Sequence, residues 1–198
     1  MRNEIKFTGE HGQLRKVISR QAASRAYPTR VINSIYFDTP DFNDYNDSEE
    51  GSVPRRKTRL RWYGNGVIPL VLSGSLEDKS THANHRDKSA FRVSDMSHET
   101  LIELVTSIRQ AAMRPVVLVS YVREYFSTVG GLRFTLDRQI EYTALNRHFG
   151  STRAHRDYTN VLELKVPLDV DYSSATKEFS DLRTRFSKYC QAISALQG

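Results

Sequence analysis

Polar and apolar residues alternate along most of the chain, which predicts a fold built mainly from β-strands. Successive side chains of a strand point to opposite faces, so a period of two indicates a half-buried strand. Turn-forming residues such as Gly64-Asn65-Gly66 and Gly130-Gly131 separate several of these segments. The predicted strands cover residues 2–7, 31–38, 57–63, 68–79, 88–93, 116–128, 133–144 and 161–167.

Other segments have the spacing of amphipathic helices. Residues 9–23 place Leu14, Val17 and Ile18 on one face, and residues 97–113 form a similar stripe after Ser97, a residue typical of a helix N-cap. Residues 174–196 repeat this spacing, whereas the acidic, turn-rich residues 41–54 predict a loop or a short irregular helix. Helices at one end, between strands and at the C-terminus predict an α+β fold.

Charged residues concentrate on one face of the predicted strands, because members of each charged group are two residues apart. These groups are Arg2, Glu4 and Lys6; Arg59 and Arg61; Glu77 and Lys79; Tyr121 and Arg123; Arg133 and Asp137; Glu163 and Lys165. A half-exposed antiparallel sheet also alternates, with its charges in water, and for any single strand this interpretation is favoured. Recurrence on six strands, with cations dominating beside isolated carboxylates, instead favours a closed barrel with a basic lumen.

A basic lumen of this kind would suit a phosphorylated ligand. The arginine guanidinium binds phosphate oxygens through two parallel hydrogen bonds and keeps its charge when partly desolvated. Mg²⁺ or Mn²⁺ would need only one or two carboxylates, since phosphate oxygens and water complete its coordination.

Composition narrows the class of partner. The 198 residues contain 29 Lys and Arg against 23 Asp and Glu, a net charge of +6, which predicts an anionic partner. One cysteine excludes an internal disulfide and suits a reducing compartment. No apolar run is long enough for a transmembrane helix, and no signal-peptide core follows Met1. We therefore expect one cytoplasmic domain over residues 1–198, with any membrane contact made through a partner protein.

Motifs for other chemistries are weak. The histidines show no metal-ligand spacing, and His82 and His85 are predicted to be loop residues rather than zinc ligands. Arginine and lysine do not alternate with stacking aromatic residues as they do in proteins that bind single-stranded nucleic acid. No nucleic-acid partner is therefore expected.

Eight short motifs occur in an order that resembles a known family. They are RNEIKF (2–7), SIYFDTPD (34–41), KTRLR (57–61), LEDK (76–79), YVRE (121–124), RFTLDR (133–138), LELK (162–165) and FSKY (186–189). Together they span nearly the whole chain and resemble the VTC domain, the polyphosphate-polymerase member of the triphosphate tunnel metalloenzymes (the CYTH-like group). The resemblance implies a closed eight-stranded antiparallel β-barrel, the triphosphate tunnel, with flanking helices and a C-terminal helix at one mouth.

The resemblance also implies roles for individual residues. The implied catalytic residues are Lys6, Arg59, Arg61, Arg123 and Lys188. The implied phosphate-binding residues are Lys79, Lys88, Tyr121, Arg133 and Ser187, and the charged strand faces add Lys165. Glu163 would hold Mn²⁺ or Mg²⁺, and the first charged strand adds Glu4 as a second ligand.

The implied activity is transfer of the γ-phosphate of ATP to a growing polyphosphate chain. Arg2 stands where many tunnel enzymes have the first Glu of a Glu-x-Glu-x-Lys strand, which weakens the case for a hydrolase. Two alternatives stay open at this point. One is a tunnel triphosphatase or cyclase acting on a soluble triphosphate, and the other is a non-catalytic polyphosphate-binding module.

Overall fold

The structure, a computed structural model, forms nine strands and four α-helices in the residues that it describes, which are 2–64, 67–83, 85–167, 176–177 and 179–197. The strands are β1 (Arg2–Gly9), β2 (Ser24–Asp38), β3 (Arg55–Tyr63), β4 (Leu72–Thr81), β5 (Arg86–Met96), β6 (Arg114–Ser127), β7 (Arg133–Leu145), β8 (Ser151–Asp157) and β9 (Asn160–Pro167). The helices are α1 (His11–Arg20), α2 (Asn43–Glu50), α3 (His98–Arg109) and α4 (Lys188–Gln197). The α+β class is confirmed, and no helix of the described residues is long and apolar enough to cross a membrane.

The strands join in the order β1-β9-β7-β6-β2-β3-β4-β5, and β8 pairs with β7. Within the described residues this order is an open path that ends at β1 and β5, so the predicted closed eight-stranded barrel is corrected to an open nine-stranded sheet. The alternation that suggested a barrel is equally typical of an open antiparallel sheet with one wet face. β5 also has the exposed charged side chains of an edge strand, among them Arg86, Lys88 and Arg92.

The contacts divide the chain into two compact units. The first comprises Met1–Val31, Tyr121–Ile140 and Arg156–Phe186, and the second comprises Ile32–Ser120, Glu141–His155 and Ser187–Gly198. Each unit has its own apolar core. The first core packs Leu14, Val17 and Ile18 of α1 against strand residues such as Phe7 and Phe134, and all five side chains are buried.

The second unit packs α3 onto its strands. Leu101 and Val105 are fully buried in a cluster with Ile35, Leu60 and Leu76. The predicted N-cap is confirmed, since the backbone N–H of Thr100 donates to the Ser97 hydroxyl over 3.2 Å. In both units the helices therefore bury the apolar stripe that the sequence pattern predicts.

The C-terminal segment differs from its predicted helix over 174–196, of which residues 174–175 and 178 lie outside the described residues. A 3₁₀ turn forms at Ser180–Leu182, and α4 begins only at Lys188. Between them the backbone N–H of Thr184 donates to the carbonyl of Lys6, and Arg183 forms an isolated bridge with Phe7. The apolar spacing of Phe179 and Leu182 is three residues, which a 3₁₀ turn satisfies as well as an α-helix does.

One further strand departs from the sequence-based prediction, and one segment forms the short helix that the sequence left open as an alternative to a loop. β8 was not predicted, because its side chains from Ser151 to Arg156 are all exposed and leave no apolar alternation. The residues predicted as a loop or irregular helix form α2, which the carboxylate of Asp38 caps by accepting the backbone N–H groups of Asp44 and Tyr45, each over 3.0 Å. The capping group lies outside the segment, at the end of β2.

Gly74 permits a close approach of two strands that matter for the site. A Cβ at this position would lie 2.4 Å from the carbonyl oxygen of Arg61. No side chain fits there without moving β3 or β4, so glycine is required at this crossing.

Candidate functional site

The sheet of the second unit has a basic face, which we define as Lys57, Arg59 and Arg61 of β3, Glu77 and Lys79 of β4, and Lys88 of β5. The register brings these residues side by side, because Arg59 pairs with Glu77 across β3 and β4. In the next row Lys57 pairs with Lys79, and Lys79 pairs with Lys88. Three lysines are therefore direct cross-strand neighbours, an arrangement that destabilises a sheet unless an anion compensates it.

Glu77 is the carboxylate at the centre of this face. The guanidinium of Arg59 donates to Glu77 Oε2 over 2.6 Å from Nη2 and 3.0 Å from Nε. Arg61 Nη1 lies 3.9 Å and Lys88 Nζ lies 3.4 Å from Oε1 of the same group. One carboxylate thus holds several cations in place without neutralising them all.

The neighbouring β2 contributes hydroxyl groups to the same face. Tyr36 pairs with Arg59, and Ser34 pairs with Arg61. Arg59 Nη1 donates to the Tyr36 hydroxyl over 3.0 Å, and Arg61 Nε donates to the Ser34 hydroxyl over 3.4 Å. These bonds fix the direction of both guanidinium groups, so their geometry is set before a ligand arrives.

The pKa values of the face record its positive potential. Burial alone would raise the pKa of Glu77, but the charges of Arg59 and Arg61 outweigh it and lower that pKa to about 2. Burial would also raise the pKa of Tyr36, but the charges of Arg59, Arg61 and Lys188 outweigh it and lower that pKa to about 8. Desolvation by neighbouring atoms, followed by the charge of Arg59, lowers the pKa of Lys79 to about 8, although the side chain is exposed at the surface. The face therefore favours anions in general.

The N-terminus of α4 lies beside Lys57. Ser187 was predicted inside a C-terminal helix, but it directly precedes α4, where its hydroxyl accepts the backbone N–H of Cys190 over 3.4 Å. Lys57 Nζ donates to the same hydroxyl over 2.9 Å. Lys188 is the first residue of the helix, so a cap and two cations meet at one point.

The carboxylate of Asp38 holds α4 to the strands of this unit. The hydroxyl of Tyr189 donates to Asp38 Oδ2, and the ring of Tyr189 stacks on Tyr36 at 5.1 Å between centroids. Burial and the negative charge of Asp38 raise the pKa of Tyr189 well above its usual range. The position of Lys188 thus depends on the hydrogen bond of its neighbour.

The first unit carries the predicted metal ligands. Glu4 pairs with Lys165 and Lys6 pairs with Glu163 across β1 and β9, so the four residues share one face. Lys165 Nζ lies 3.2 Å from Glu163 Oε1 and 3.7 Å from Glu4 Oε1. The two carboxylates converge on a single cation, and hard oxygen ligands of this kind fit Mg²⁺ or Mn²⁺ in its place. Arg133 is exposed and pairs with Lys165.

Lys6 and Arg123 of the first unit have partners within the chain. Lys6 Nζ donates to the backbone carbonyl of Phe186 over 2.7 Å. Arg123 binds Asp137 through two hydrogen bonds of 2.6 and 2.7 Å, and its guanidinium lies 5.2 Å from the centre of the buried Tyr121 ring. Burial alone would lower the pKa of Arg123, but Asp137 raises it well above its usual value.

Sequence reasoning missed some members of both sites. Glu77 and Lys57 lie on the predicted charged faces, so the alternation could have assigned them to the site. Asp137 also lies on a predicted charged face with Arg133, but its pairing with Arg123, like that of Tyr36 with Arg59, depends on a register that the sequence does not show.

A sequence profile of the VTC domain matches residues 6–197. No match to this chain was found among curated proteins.

Several solved structures share the fold. The Hippeastrum protein HpAC1, a proposed adenylyl cyclase described as having a dominant triphosphatase activity, superimposes with a TM-score of 0.58 at 14% identity, covering 98% of this chain and 96% of that one. A proposed adenylate cyclase from Vibrio parahaemolyticus gives 0.54 at 13% identity, covering 98% and 97%. A conserved protein from Pyrococcus furiosus gives 0.55 at 11% identity, covering 96% and 99%. At these identities the likeness extends to the fold alone.

Proposed function

Because the chain belongs to the VTC domain family, we propose that it is a metal-dependent phosphotransferase that moves the γ-phosphate of ATP onto a growing polyphosphate chain. The observation that carries the proposal is the row of cross-strand lysines, Lys57, Lys79 and Lys88, on the basic face. Like charges that face each other directly cost stability in the free protein. A polyanionic ligand removes that cost when it binds.

The arginines supply the geometry for a triphosphate. Arg59 and Arg61 project from alternate positions of β3, and Glu77 together with two hydroxyl groups orients them. Guanidinium groups can grip phosphate oxygens through two hydrogen bonds, so two of them two residues apart suit successive phosphates of one chain. We assign Lys79, Lys88, Lys188 and Ser187 to the same bound anion.

The residues that would hold the metal are Glu163 and Glu4. Their convergence on Lys165 supports this assignment, and Lys165 would move to a phosphate oxygen when the metal binds. When bound, Mg²⁺ or Mn²⁺ would neutralise charge on phosphate oxygens as it develops during transfer. Lys6, Arg123, Tyr121 and Arg133 are assigned to phosphate positioning in this unit.

Transfer needs little covalent chemistry from the protein. An oxygen of the terminal phosphate of the acceptor attacks the γ-phosphorus, the bond to the bridging oxygen breaks, and ADP leaves. The side chains contribute by holding donor and acceptor in line and by stabilising charge on the oxygens. A face with a surplus of fixed cations is suited to that task.

A second candidate is hydrolysis of the same triphosphate, with water as the acceptor. The described triphosphatase activity of the Hippeastrum protein, which shares this fold, favours it. The third possibility, a module that binds polyphosphate without catalysis, would need the basic face but not Glu163.

One assay separates these functions. Purified protein is incubated with ATP and Mn²⁺ or Mg²⁺, and long-chain polyphosphate and free phosphate are followed in the same sample. We expect polyphosphate to accumulate and to disappear in Arg59→Ala, while Arg147→Ala, the loss of an exposed arginine outside the basic face, retains activity. Free phosphate without polymer would favour the hydrolase, and binding of tripolyphosphate with no turnover would favour the binding module.

A further inference from the structure

The hairpin formed by β4 and β5 brings two histidines and an aspartate together. Ser80 pairs with Asp87 and Thr81 pairs with Arg86 in the antiparallel register. The backbone N–H of His82 donates to the carbonyl of His85 over 2.9 Å, which continues the ladder by one more pair. His82 and His85 are therefore cross-strand neighbours, and Asp87 lies two residues along on the same face.

The three side chains bring one candidate ligand atom each to within 4.8 Å of one another. The imidazole rings are parallel within 9°, with 4.4 Å between their centres. Asp87 Oδ2 lies 3.0 Å from His85 Nε2 and 3.8 Å from His82 Nε2. Ligands about 2.1 Å from a tetrahedral Zn²⁺ are about 3.4 Å apart, so each Asp87 distance needs a change of about 0.4 Å. Rotation of the imidazole rings out of their stack would direct both nitrogen lone pairs at one cation.

We propose that His82, His85 and Asp87 form a binding site for a transition-metal cation of the Zn²⁺ class. Two imidazole nitrogens and one carboxylate oxygen suit Zn²⁺, Co²⁺ or Ni²⁺, whereas Mg²⁺ prefers a set made only of oxygens. All three side chains are partly open to water, with exposed fractions of 39, 59 and 64%, so solvent can complete the coordination.

This site is separate from the residues proposed for phosphoryl transfer. Side chains alternate along the β4 hairpin arm, so Glu77 and Lys79 point to one face of the sheet. Ser80 and His82 belong to the opposite face. A metal here would tie the end of the hairpin that carries Lys79 and Lys88. Neither the ligand set nor its geometry depends on the proposed function.

Both histidines lie between the ends of β4 and β5, which confirms the prediction that they are loop residues. The spacing His82-x-x-His85-x-Asp87 is not that of a common zinc motif, and the hairpin register creates the site.

Calorimetric titration of the full chain, free of any polyhistidine tag, with ZnCl₂ tests the proposal. We expect saturable binding of one Zn²⁺ per chain, with an affinity at least about tenfold weaker in each of His82→Gln, His85→Gln and Asp87→Asn. His11→Ala, which removes an exposed histidine elsewhere, and Glu163→Gln should leave this affinity unchanged. Co²⁺ in place of Zn²⁺ should give a visible absorption band that is lost in His85→Gln.

Circular dichroism of each variant establishes that the chain is folded, so a lost signal reports on the ligands. Absence of saturable Zn²⁺ binding in the wild-type protein would overturn the proposal. So would Zn²⁺ affinity that is unchanged in His82→Gln and His85→Gln, or affinity lost in Glu163→Gln instead.

Discussion

Arginine meets a carboxylate in both units, but the balance of charge differs. In the first unit, Arg123 binds Asp137 through two short hydrogen bonds, and the Asp137 side chain is only 1% exposed. In the second unit, Glu77 is shared by Arg59, Arg61 and Lys88. The matched pair of Arg123 and Asp137 fixes one guanidinium, whereas the shared carboxylate of Glu77 orients three cations. The number of cations that share one carboxylate thus distinguishes the two arginine sites.

The largest expected effect tests the matched pair. Asp137→Ala leaves the Arg123 guanidinium buried without its counter-charge, and the free energy of unfolding should fall by about 3–5 kcal/mol. Urea denaturation measures this change. Asp181→Ala, an exposed aspartate of the same unit, should cost less than about 0.5 kcal/mol. A double variant, Arg123→Leu with Asp137→Leu, should be more stable than Asp137→Ala. An equal loss of unfolding free energy in Asp137→Ala, Asp181→Ala and the double variant would contradict the comparison.

Glu163→Gln tests the carboxylates of the first unit and should affect turnover. The substitution keeps the shape and removes the charge, so we expect polyphosphate synthesis to fall by at least about 100-fold because metal-dependent stabilisation of the transition state is lost. Affinity for tripolyphosphate should change little, since the basic face supplies it. Glu103→Gln on α3 is the control. Wild-type turnover in Glu163→Gln would remove this residue from the proposed metal site.

Arg59→Ala should lower the affinity for tripolyphosphate more than it lowers the stability of the fold. Loss of a hydrogen bond to a charged group costs about 1.5–3 kcal/mol, which corresponds to a rise of about 10- to 100-fold in the Kd for tripolyphosphate. Calorimetry at low salt gives the Kd, with Arg147→Ala as the control. The comparison between the units would be broken if Arg59→Ala lost stability as Asp137→Ala does and kept its affinity.

The smallest expected effect is a pH dependence: as the pH rises, the stability of the free protein should increase while its affinity for tripolyphosphate decreases. The folded-state pKa values of Lys79 and Tyr36, each about 8, lie below those of an unfolded chain, so the unfolded state binds more protons between about pH 8 and pH 10. Stability of the free protein should therefore rise over this window, by less than about 1 kcal/mol for the exposed Lys79. Affinity for tripolyphosphate should fall over the same window, because positive charge is lost.

Substitutions check the origin of this pH dependence. Unfolding and binding are measured from pH 7 to pH 10 at constant ionic strength. Lys79→Met and Tyr36→Phe should each flatten both profiles. A profile that is unchanged in both variants would assign the titration to other groups.

The sequence predicted strands and faces better than partners. Arg59 and Arg61 were placed on one face because a period of two is visible in a single strand. Their attachment to Glu77 depends on the β3–β4 register, and a slip of one residue would reverse every face. His82 and His85 do lie between β4 and β5, as the loop prediction had them, but the approach of their rings depends in the same way on the β4–β5 register. The sequence also could not show that the sheet is open, because an edge strand such as β5 and an inner strand can both alternate polar and apolar residues.

The C-terminal error has a different origin. Apolar spacing over 174–196 did not reveal where the helix begins, although Ser187 caps α4 locally by accepting the backbone N–H of Cys190. The apolar residues Phe179 and Leu182 continue the helical spacing ahead of this cap, and the hydrogen bond from Lys57, 130 residues earlier in the chain, leaves no local signal. The start of α3 was predictable because Ser97 and Thr100 form the cap within one turn.

The bond between Tyr189 and Asp38 has a consequence for the kinetics of the site. Asp38 also accepts the amides of Asp44 and Tyr45, so detachment of α4 and fraying of α2 share one carboxylate and should occur as one cooperative opening. Amide protons of both helices would then exchange with solvent at a common rate. Lys188 would move away from the site in the same opening. The dissociation rate of a bound polyanion would then be set by the rate at which α4 detaches rather than by diffusion of the anion.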